Sequence, residues 1–229
     1  MAGVDPRHVA VLCDFDGTIA LDDVGDAIVQ SFAAPGWEER LEMWRQGQLG
    51  SREYYEVTYS TLRVDRKGLE DFLGRFRLDP GFIDLVRYCR ESGFDFAVVS
   101  DGFDFYISHI LNSNGIPEVK YFSNSLSFED GRIKIGFPHA NPDCKRCGNC
   151  KLGVVRSFKK RGLTVVYIGD GLSDRYALPA ADIVFAKGDL ARHCDRNGIQ
   201  FFHFEGLADV VAALRGGVLL VSKQRRVVE

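Results

Sequence analysis

Three short apolar runs set the strongest limit on how this chain can fold: HVAVLC at His8–Cys13, FDFAVVS at Phe94–Ser100 and LTVVYIG at Leu163–Gly169. Each is rich in β-branched residues and lacks the alternation of a half-exposed strand. That is the pattern of strands buried on both faces, as in parallel sheets. Asp182–Ala186 (DIVFA) and Gln200–Phe204 (QFFHF) repeat it in weaker form. Amphipathic stretches separate the runs. Asp79-Pro80 offers an N-cap and a first-turn proline, Phe82, Leu85, Val86 and Cys89 then share one face, and Gly93 ends the helix. Lys151–Arg161 follows the same plan, with Leu152, Val155 and Phe158 as its stripe and Gly162 as its stop. Strand alternating with helix predicts an α/β fold on a parallel sheet.

One region breaks the alternation. Between the first run and Asp79 the spacings are helical: Val24/Ile28/Phe32, Trp37/Leu41/Trp44, Tyr55/Thr58/Tyr59/Leu62 and Leu69/Phe72/Leu73/Phe76. Ser51 and Asp65 are its N-cap candidates. Residues 20–78 are therefore expected to form an inserted helical subdomain, and residues 1–19 with 79–229 the core. Val119–Phe137 places two alternating runs around Asp130-Gly131, a hairpin signal. The apolar half of the tail GVLLVSKQRRVVE suggests an added edge strand.

The 229 residues suffice for one large domain or a domain with an insertion, and 45% apolar with 27% charged residues is an ordinary globular balance. A net charge of -3 leaves no basic footprint, so no nucleic-acid partner is expected. The apolar runs are too short to span a membrane, and MAGVDPRH lacks the order of a signal peptide. Six cysteines are too sparse for a secreted disulfide scaffold, so the cytoplasm is the expected compartment. Oligomeric state leaves no signal.

Ligands of open parallel sheets bind beyond the carboxyl ends of the strands. The first run exits as Asp14-Phe15-Asp16-Gly17-Thr18, the second as Ser100-Asp101-Gly102, and the third as Gly169-Asp170-Gly171-Leu172-Ser173-Asp174. Lys151 opens the helix before the third run. Four clustered carboxylates, Asp14, Asp16, Asp170 and Asp174, cannot all ionise without a counter-charge. A hard cation such as Mg2+ resolves the conflict and suits an anionic phosphate. Lys151 and Ser100 would then hold phosphate oxygens, and Gly102 would let backbone N–H groups approach. One of Asp14 and Asp16 can attack phosphorus, and the other can pass a proton to the leaving oxygen.

The stretch DCKRCGNCK, residues 143–151, spaces Cys144, Cys147 and Cys150 just before Lys151. A structural Zn2+ on these thiols, with His139 or Asp143 as fourth ligand, is one reading. Loop packing and a disulfide between two of them are the others. In each, the thiols position Lys151 rather than react.

The ordered motifs resemble the haloacid dehalogenase (HAD) superfamily of phosphohydrolases. Its DxDx[TV] motif matches Asp14, Asp16 and Thr18; its strand-end Ser or Thr matches Ser100; its Lys matches Lys151; its GDxxxD matches Gly169, Asp170 and Asp174. The resemblance implies a Rossmann-like core with a cap, and an insertion after the first motif looks like the phosphoserine-phosphatase-like branch. There Asp14 would be the nucleophile and Asp16 the acid and base. Asp14, Asp170 and the Asp16 carbonyl would hold magnesium, and Asp174 would support or bind it. CDFDGTI with Asp23, CGNCK and FAKGDLARHC look most similar to methionine-salvage phosphatases of 2-hydroxy-3-keto-5-methylthiopentenyl-1-phosphate. The cysteines before Lys151 and the Ser100-Asp101 step are also similar to phosphoethanolamine/phosphocholine phosphatases. The RVxLL-type cap segment of phosphoserine phosphatases is not found, and the methionine-salvage group tends to have SGG where Ser100-Asp101-Gly102 stands.

A cap would choose the leaving group. Asp23 and Asp101 are its candidate substrate contacts, Asp23 being alternatively a helix cap. Trp37, Trp44, Tyr54, Tyr55 and Tyr59 are either a pocket lining or bundle core. Arg40, Arg45 and Arg52 read as solvated helix-face charges. The expected function is magnesium-dependent hydrolysis of a small phosphorylated metabolite, such as the methionine-salvage enol phosphate. The rivals are phosphoethanolamine, phosphocholine or phosphoserine hydrolysis, phosphotransfer to an alcohol, and a metal- or redox-responsive binding protein working through its cysteines.

Overall fold

The structure is a computed structural model that describes residues 8–219 other than 117 and 145. Its described strands form one seven-stranded sheet in the order β4-β3-β2-β1-β5-β6-β7. β1 (Val9–Cys13) is central and pairs in parallel with β2 (Asp95–Phe103) and with β5 (Thr164–Gly169). β3 (Tyr121–Glu129) continues one side, and β6 (Ile183–Ala186) with β7 (Phe202–His203) the other. Strand order thus reverses beside β1, which puts the crevice of such a sheet at the carboxyl ends of β1 and β5.

Burial on both faces follows the β1 sequence directly. Val9, Val11 and Cys13 enter one core, and Ala10 and Leu12 the other. The first core also takes side chains of α5 (Phe82–Glu91), α6 (Asp104–Ser113) and α9 (Leu207–Arg215). The second is covered by α7 (Lys151–Lys160) through Val154, Val155 and Phe158. A smaller cluster lies under α8 (Gly188–Asn197). The hairpin forms as expected: β4 (Arg132–Gly136) pairs antiparallel with β3, and the turn holds Asp130 at φ 49° and Gly131 at φ 72°.

Four helices lie between residues 20 and 78: α1 (Val24–Phe32), α2 (Trp37–Arg45), α3 (Ser51–Tyr59) and α4 (Arg66–Leu73). Ala20 and Leu78 pair in an isolated antiparallel bridge, so chain entry and exit are fastened together where this segment meets the sheet.

Local expectations change at several points. Asp65 caps α4 by accepting from Gly68 N at 2.7 Å, but Ser51 is the first residue of α3 and Gly50 its cap. Asp79 does not cap α5, which starts at Phe82. Its buried carboxylate accepts from Gly81 N at 2.8 Å and from Leu207 N at 3.3 Å, tying α9 to the end of the helical insertion. Of the expected tail strand, Val218 and Leu219 instead pack in helical conformation against the first core. Residues 220–229 lie outside the described residues. Among those described, no helix is long and apolar enough to cross a membrane.

Candidate active site

Each strand end delivers its residues to one cavity. Asp14 and Asp16 from β1, Ser100, Asp101 and Gly102 from β2, Lys151 from the start of α7 and Asp170 after β5 all line it. Its volume is about 110 Å³, the scale of a small molecule. β2 does not end at Ser100, as the sequence suggests. It runs on to Phe103, and its pairing with β3 shifts between Val99 and Phe103. A bulge of this kind re-aims side chains beside a site.

Lys151 Nζ donates to Asp14 Oδ1 at 2.8 Å and to Asp174 Oδ1 at 2.5 Å. All three residues are buried. Burial works against the ammonium charge, but Asp14 and Asp174 outweigh it and raise the Lys151 pKa. Asp174 is fully engaged. Its Oδ1 also accepts from Tyr167 Oη at 2.6 Å, and its Oδ2 accepts from Asp170 N at 3.1 Å and Gly171 N at 3.0 Å. It therefore fixes the loop after β5 and the lysine together.

Asp170 Oδ1 accepts from Thr18 Oγ1 at 2.8 Å, locking the ends of β1 and β5 together. Gly17 makes this approach possible. It stands at φ 70°, and a Cβ there would lie 2.4 Å from Asp170 Oδ2. Burial and Asp174 push the Asp170 carboxyl up to about 6. Burial and Asp174 likewise raise Asp14, against the pull of Lys151.

Asp16 sits at the amino terminus of α1. Its Oδ1 accepts from Val24 N at 3.0 Å and Gly25 N at 3.3 Å, and its Oδ2 from Tyr106 Oη at 2.7 Å and Ser100 Oγ at 3.3 Å. Burial raises its pKa against all four donors. Gly102 has a different task from the expected N–H contact. A Cβ there would lie 1.6 Å from Tyr106 Oη, so only glycine leaves room for this tyrosine beside Asp16.

Asp14, Asp170 and Asp174 bring one carboxylate oxygen each within 4.8 Å of one another, the only such His, Cys, Asp or Glu group among the described residues. Asp14 and Asp170 are raised by burial and by neighbouring carboxylates despite Lys151, and all-oxygen donors suit a hard divalent cation. Asp14 and Asp170 each use only Oδ1 in the described hydrogen bonds, leaving an oxygen apiece for such an ion.

The cysteine stretch takes another role. Cys144, Cys147 and Cys150 are free thiols, and no three of these thiols and His139 bring ligand atoms all within 4.8 Å of one another, so the geometry does not support the expected zinc site. Cys150 caps α7, its Sγ accepting from Gly153 N at 3.3 Å. His139 packs edge-on to Phe122 at 5.2 Å, and burial and Lys120 lower its pKa. The loop docks onto the helical insertion instead. Arg52 N donates to Arg146 O at 3.1 Å, Arg146 Nη2 donates to Gly47 O at 2.6 Å, and Gly50 packs on the Arg146 backbone.

Asn149 joins this loop to the site: its N–H donates to Asp101 Oδ1 at 3.0 Å and its Nδ2 to the Ser100 carbonyl at 2.7 Å. Asp101 is also hydrogen-bonded to Ser51 of α3, whose Oγ accepts from Trp44 Nε1 at 3.3 Å. Burial raises Asp101 despite these donors. Asp101 thus spends its carboxylate on joining the insertion to the Lys151 loop.

Asp23 caps α1 by accepting from Asp26 N at 2.7 Å, the alternative reading of this residue, and also lines the cavity. Although its side chain is open to the cavity, the protein around it raises its pKa, and Asp16 and Asp26 add to the rise. Trp44, Tyr54 and Tyr55 line the cavity, whereas Trp37 and Tyr59 pack into the core. Arg40 is not a freely solvated charge. Its Nε donates to Thr58 Oγ1 at 3.4 Å, and its Nη2 is buried without a partner. Tyr106, Tyr167, Asn124 and Asn149 were not singled out by sequence reasoning. Asn149 and Tyr167 lay within quoted stretches, DCKRCGNCK and LTVVYIG, without being given a role.

A family model described as haloacid dehalogenase-like hydrolase matches residues 11–179. A 2-hydroxy-3-keto-5-methylthiopentenyl-1-phosphate phosphatase of Exiguobacterium sp. is 33% identical over 210 residues, covering 90% of this chain and 97% of its own length. The enzyme of the same name from Exiguobacterium sibiricum is 34% identical over 215 residues, covering 90% and 96%. Among solved structures, a phospho-aspartyl intermediate analogue of phosphoserine phosphatase superposes with a TM-score of 0.68 at 19% identity, covering 89% of this chain and 97% of that one. That last likeness is one of fold. With a family match from β1 through the loop after β5 and relatives alike over nearly the whole chain, the protein belongs to the haloacid dehalogenase-like hydrolases.

Proposed function

We propose that the chain is a magnesium-dependent phosphomonoesterase that works through an aspartyl phosphate on Asp14. The observation that carries this reading is the contact of Lys151 with Asp14 and Asp174 at 2.8 and 2.5 Å, beside an Asp16 held by hydroxyl donors in the same cavity. The ammonium offsets the nucleophile's charge and is placed to take a phosphate oxygen. One Asp14 carboxylate oxygen attacks phosphorus as the ester P–O bond breaks, the other being left to the metal, and protonated Asp16 gives its proton to the leaving oxygen. Asp16 then takes a proton from the water that attacks the aspartyl phosphate, releasing Asp14 and inorganic phosphate. Ser100, the longer of the two hydroxyl contacts on Asp16 Oδ2 at 3.3 Å, turns to phosphate and opens that oxygen for this exchange.

Asp14, Asp170 and the Asp16 carbonyl would hold magnesium, with Asp174 fixing their frame. Bound there, the ion would screen the phosphate's approach to Asp14. Residues 20–78 act as a cap and residues 1–19 with 79–229 as the core. The cap's share of a small cavity limits the substrate to a small phosphorylated metabolite, and the curated relatives' names make the methionine-salvage enol phosphate one candidate. The cytoplasm, where such metabolites occur, is the proposed compartment. The test is hydrolysis of p-nitrophenyl phosphate with and without magnesium. Turnover that needs the metal and collapses in Asp14→Asn supports the reading. Metal-independent turnover, or an Asp14→Asn variant as fast as the parent, refutes it.

A further inference from the structure

We infer that the cap half of the cavity binds a positively charged leaving group, so that the ester hydrolysed is the phosphate of an amino- or ammonium-bearing alcohol. The inference rests on the phosphatase reading and adds the chemistry of the alcohol. Two carboxylates of α1, Asp23 and Asp26, line this half, and Trp44, Tyr54 and Tyr55 give it aromatic walls. The rings do not stack. Trp44 and Tyr54 stand 6.2 Å apart at 32°, and Tyr54 and Tyr55 5.4 Å apart at 57°, tilted against one another. Aromatic faces attract cations, as carboxylates do.

Opposing charge is scarce. Lys151 is the only lysine or arginine lining the cavity among the described residues, and it is committed to Asp14 and Asp174. Arg45 comes no closer than 3.9 Å to Asp26 and is 53% exposed, so water screens it. Arg40 does not line the cavity: its Nε donates to Thr58 Oγ1 at 3.4 Å, and its unpaired Nη2 is buried outside the lining. A substrate carboxylate would meet like charge here without a partner, whereas an ammonium meets both carboxylates.

An independent sign of a missing ligand is the Tyr54 hydroxyl. Tyr54 is 3% exposed, lines the cavity, and its Oη has no hydrogen-bond partner. A buried hydroxyl of this kind is costly to leave unpaired, and a polar group on the leaving alcohol would satisfy it. Asp23 commits one oxygen to Asp26 N, which leaves its second oxygen to the cavity.

The test compares kcat/KM, with magnesium, for phosphoethanolamine, phosphocholine, phosphoserine, 3-phosphoglycerate and the relatives' enol phosphate. p-Nitrophenyl phosphate reports on the core. An ammonium ester without a carboxylate is expected to lead the others by about tenfold or more, a difference of about 1.4 kcal/mol. Phosphoserine should trail despite its ammonium, because of its carboxylate. In the Asp23→Asn/Asp26→Asn variant, where asparagine keeps the α1 cap, the ratio of ammonium ester to p-nitrophenyl phosphate should fall about tenfold. Tyr54→Phe should lower the same ratio. A lead by the enol phosphate or by a carboxylated ester overturns the inference and leaves the phosphatase reading standing, as does an unchanged ratio in both variants. Failure to hydrolyse any ester, p-nitrophenyl phosphate included, overturns both.

Discussion

Replacing Gly102 with alanine should damage the site through one atom. The new Cβ would lie 1.6 Å from Tyr106 Oη, 2.5 Å from Tyr106 Cζ and 2.8 Å from Asp16 Oδ2. Gly102 is not at positive φ, so the effect is steric and not backbone strain. Tyr106 is buried at 1% exposure and its ring packs 6.0 Å from Phe15, so it has nowhere to retreat. Either the ring leaves Asp16, or the end of β2 moves and takes Ser100 with it. Overpacking of this kind costs about 1–3 kcal/mol, and a lost hydrogen bond to a charged acceptor about 1.5–3 kcal/mol. Together, about 2.5–6 kcal/mol should lower the melting temperature by roughly 5–24 °C for a chain of this size. Losing the Tyr106 donor also removes one influence that lowers the Asp16 pKa, so the basic limb of the pH–rate profile should move to higher pH. Tyr106→Phe is the comparison, since it removes the hydrogen bond without the clash and should melt between parent and Gly102→Ala. Calorimetry and a pH series of p-nitrophenyl phosphate hydrolysis measure both effects. If Gly102→Ala melts like the parent and keeps its pH limb, the placement of Tyr106 against Asp16 is wrong.

The other predictions concern the metal, the loop and the thiols. In the folded chain the Asp170 pKa rises from 3.8 to about 6, so between these values the folded state holds a proton that the unfolded state has lost. Without metal, this group makes stability fall as pH rises through that window; magnesium takes over as counter-charge, so its stabilising effect should grow with pH. Melting curves at about pH 5 and about pH 7.5, with and without magnesium, check this, and a larger metal effect at the acid pH contradicts it. Asp101→Ala leaves the Asn149 N–H and the Ser51 hydroxyl short of an acceptor, which should cost about 1–3 kcal/mol per buried group and lower kcat by loosening the loop before Lys151; unchanged melting and kcat would remove Asp101 from that role. Protein purified without chelators should carry no stoichiometric zinc by elemental analysis. Changing Cys144, Cys147 and Cys150 to serine should leave magnesium-dependent turnover largely intact and keep the α7 cap, because a serine hydroxyl accepts from Gly153 N at least as well as the thiol does.

Much of this site could be read from the strand ends because chemistry there is local. Asp14, Asp16, Ser100 and Asp170 each follow a run that must be a buried strand, and parallel pairing brings those ends together. Lys151 was legible as a helix start, but its reach to Asp174 as well as Asp14 depends on how α7 packs over the sheet. Tyr106 was illegible for a related reason. It lies on α6, and only the register of β2 and the empty Cβ position of Gly102 set its hydroxyl against Asp16. The cysteine spacing pointed toward zinc because spacing is all that a sequence offers. What decides the matter is Arg146, which lies between two of the cysteines and docks the loop on Gly47, Gly50 and Arg52. Ser51 reads as a helix cap by type, yet its hydroxyl is taken by Trp44 on the preceding helix and by Asp101, fifty residues away in sequence.

The central claim is that Asp14 carries the phosphoryl group between two halves of the reaction. Rapid acid quench during turnover, followed by borohydride reduction and peptide mass spectrometry, tests it directly. The account predicts a phosphorylated, reducible aspartate at Asp14 that forms only with substrate and magnesium and is missing from Asp14→Asn. Turnover with no covalent phosphoryl enzyme, or with the label on another residue, would contradict it.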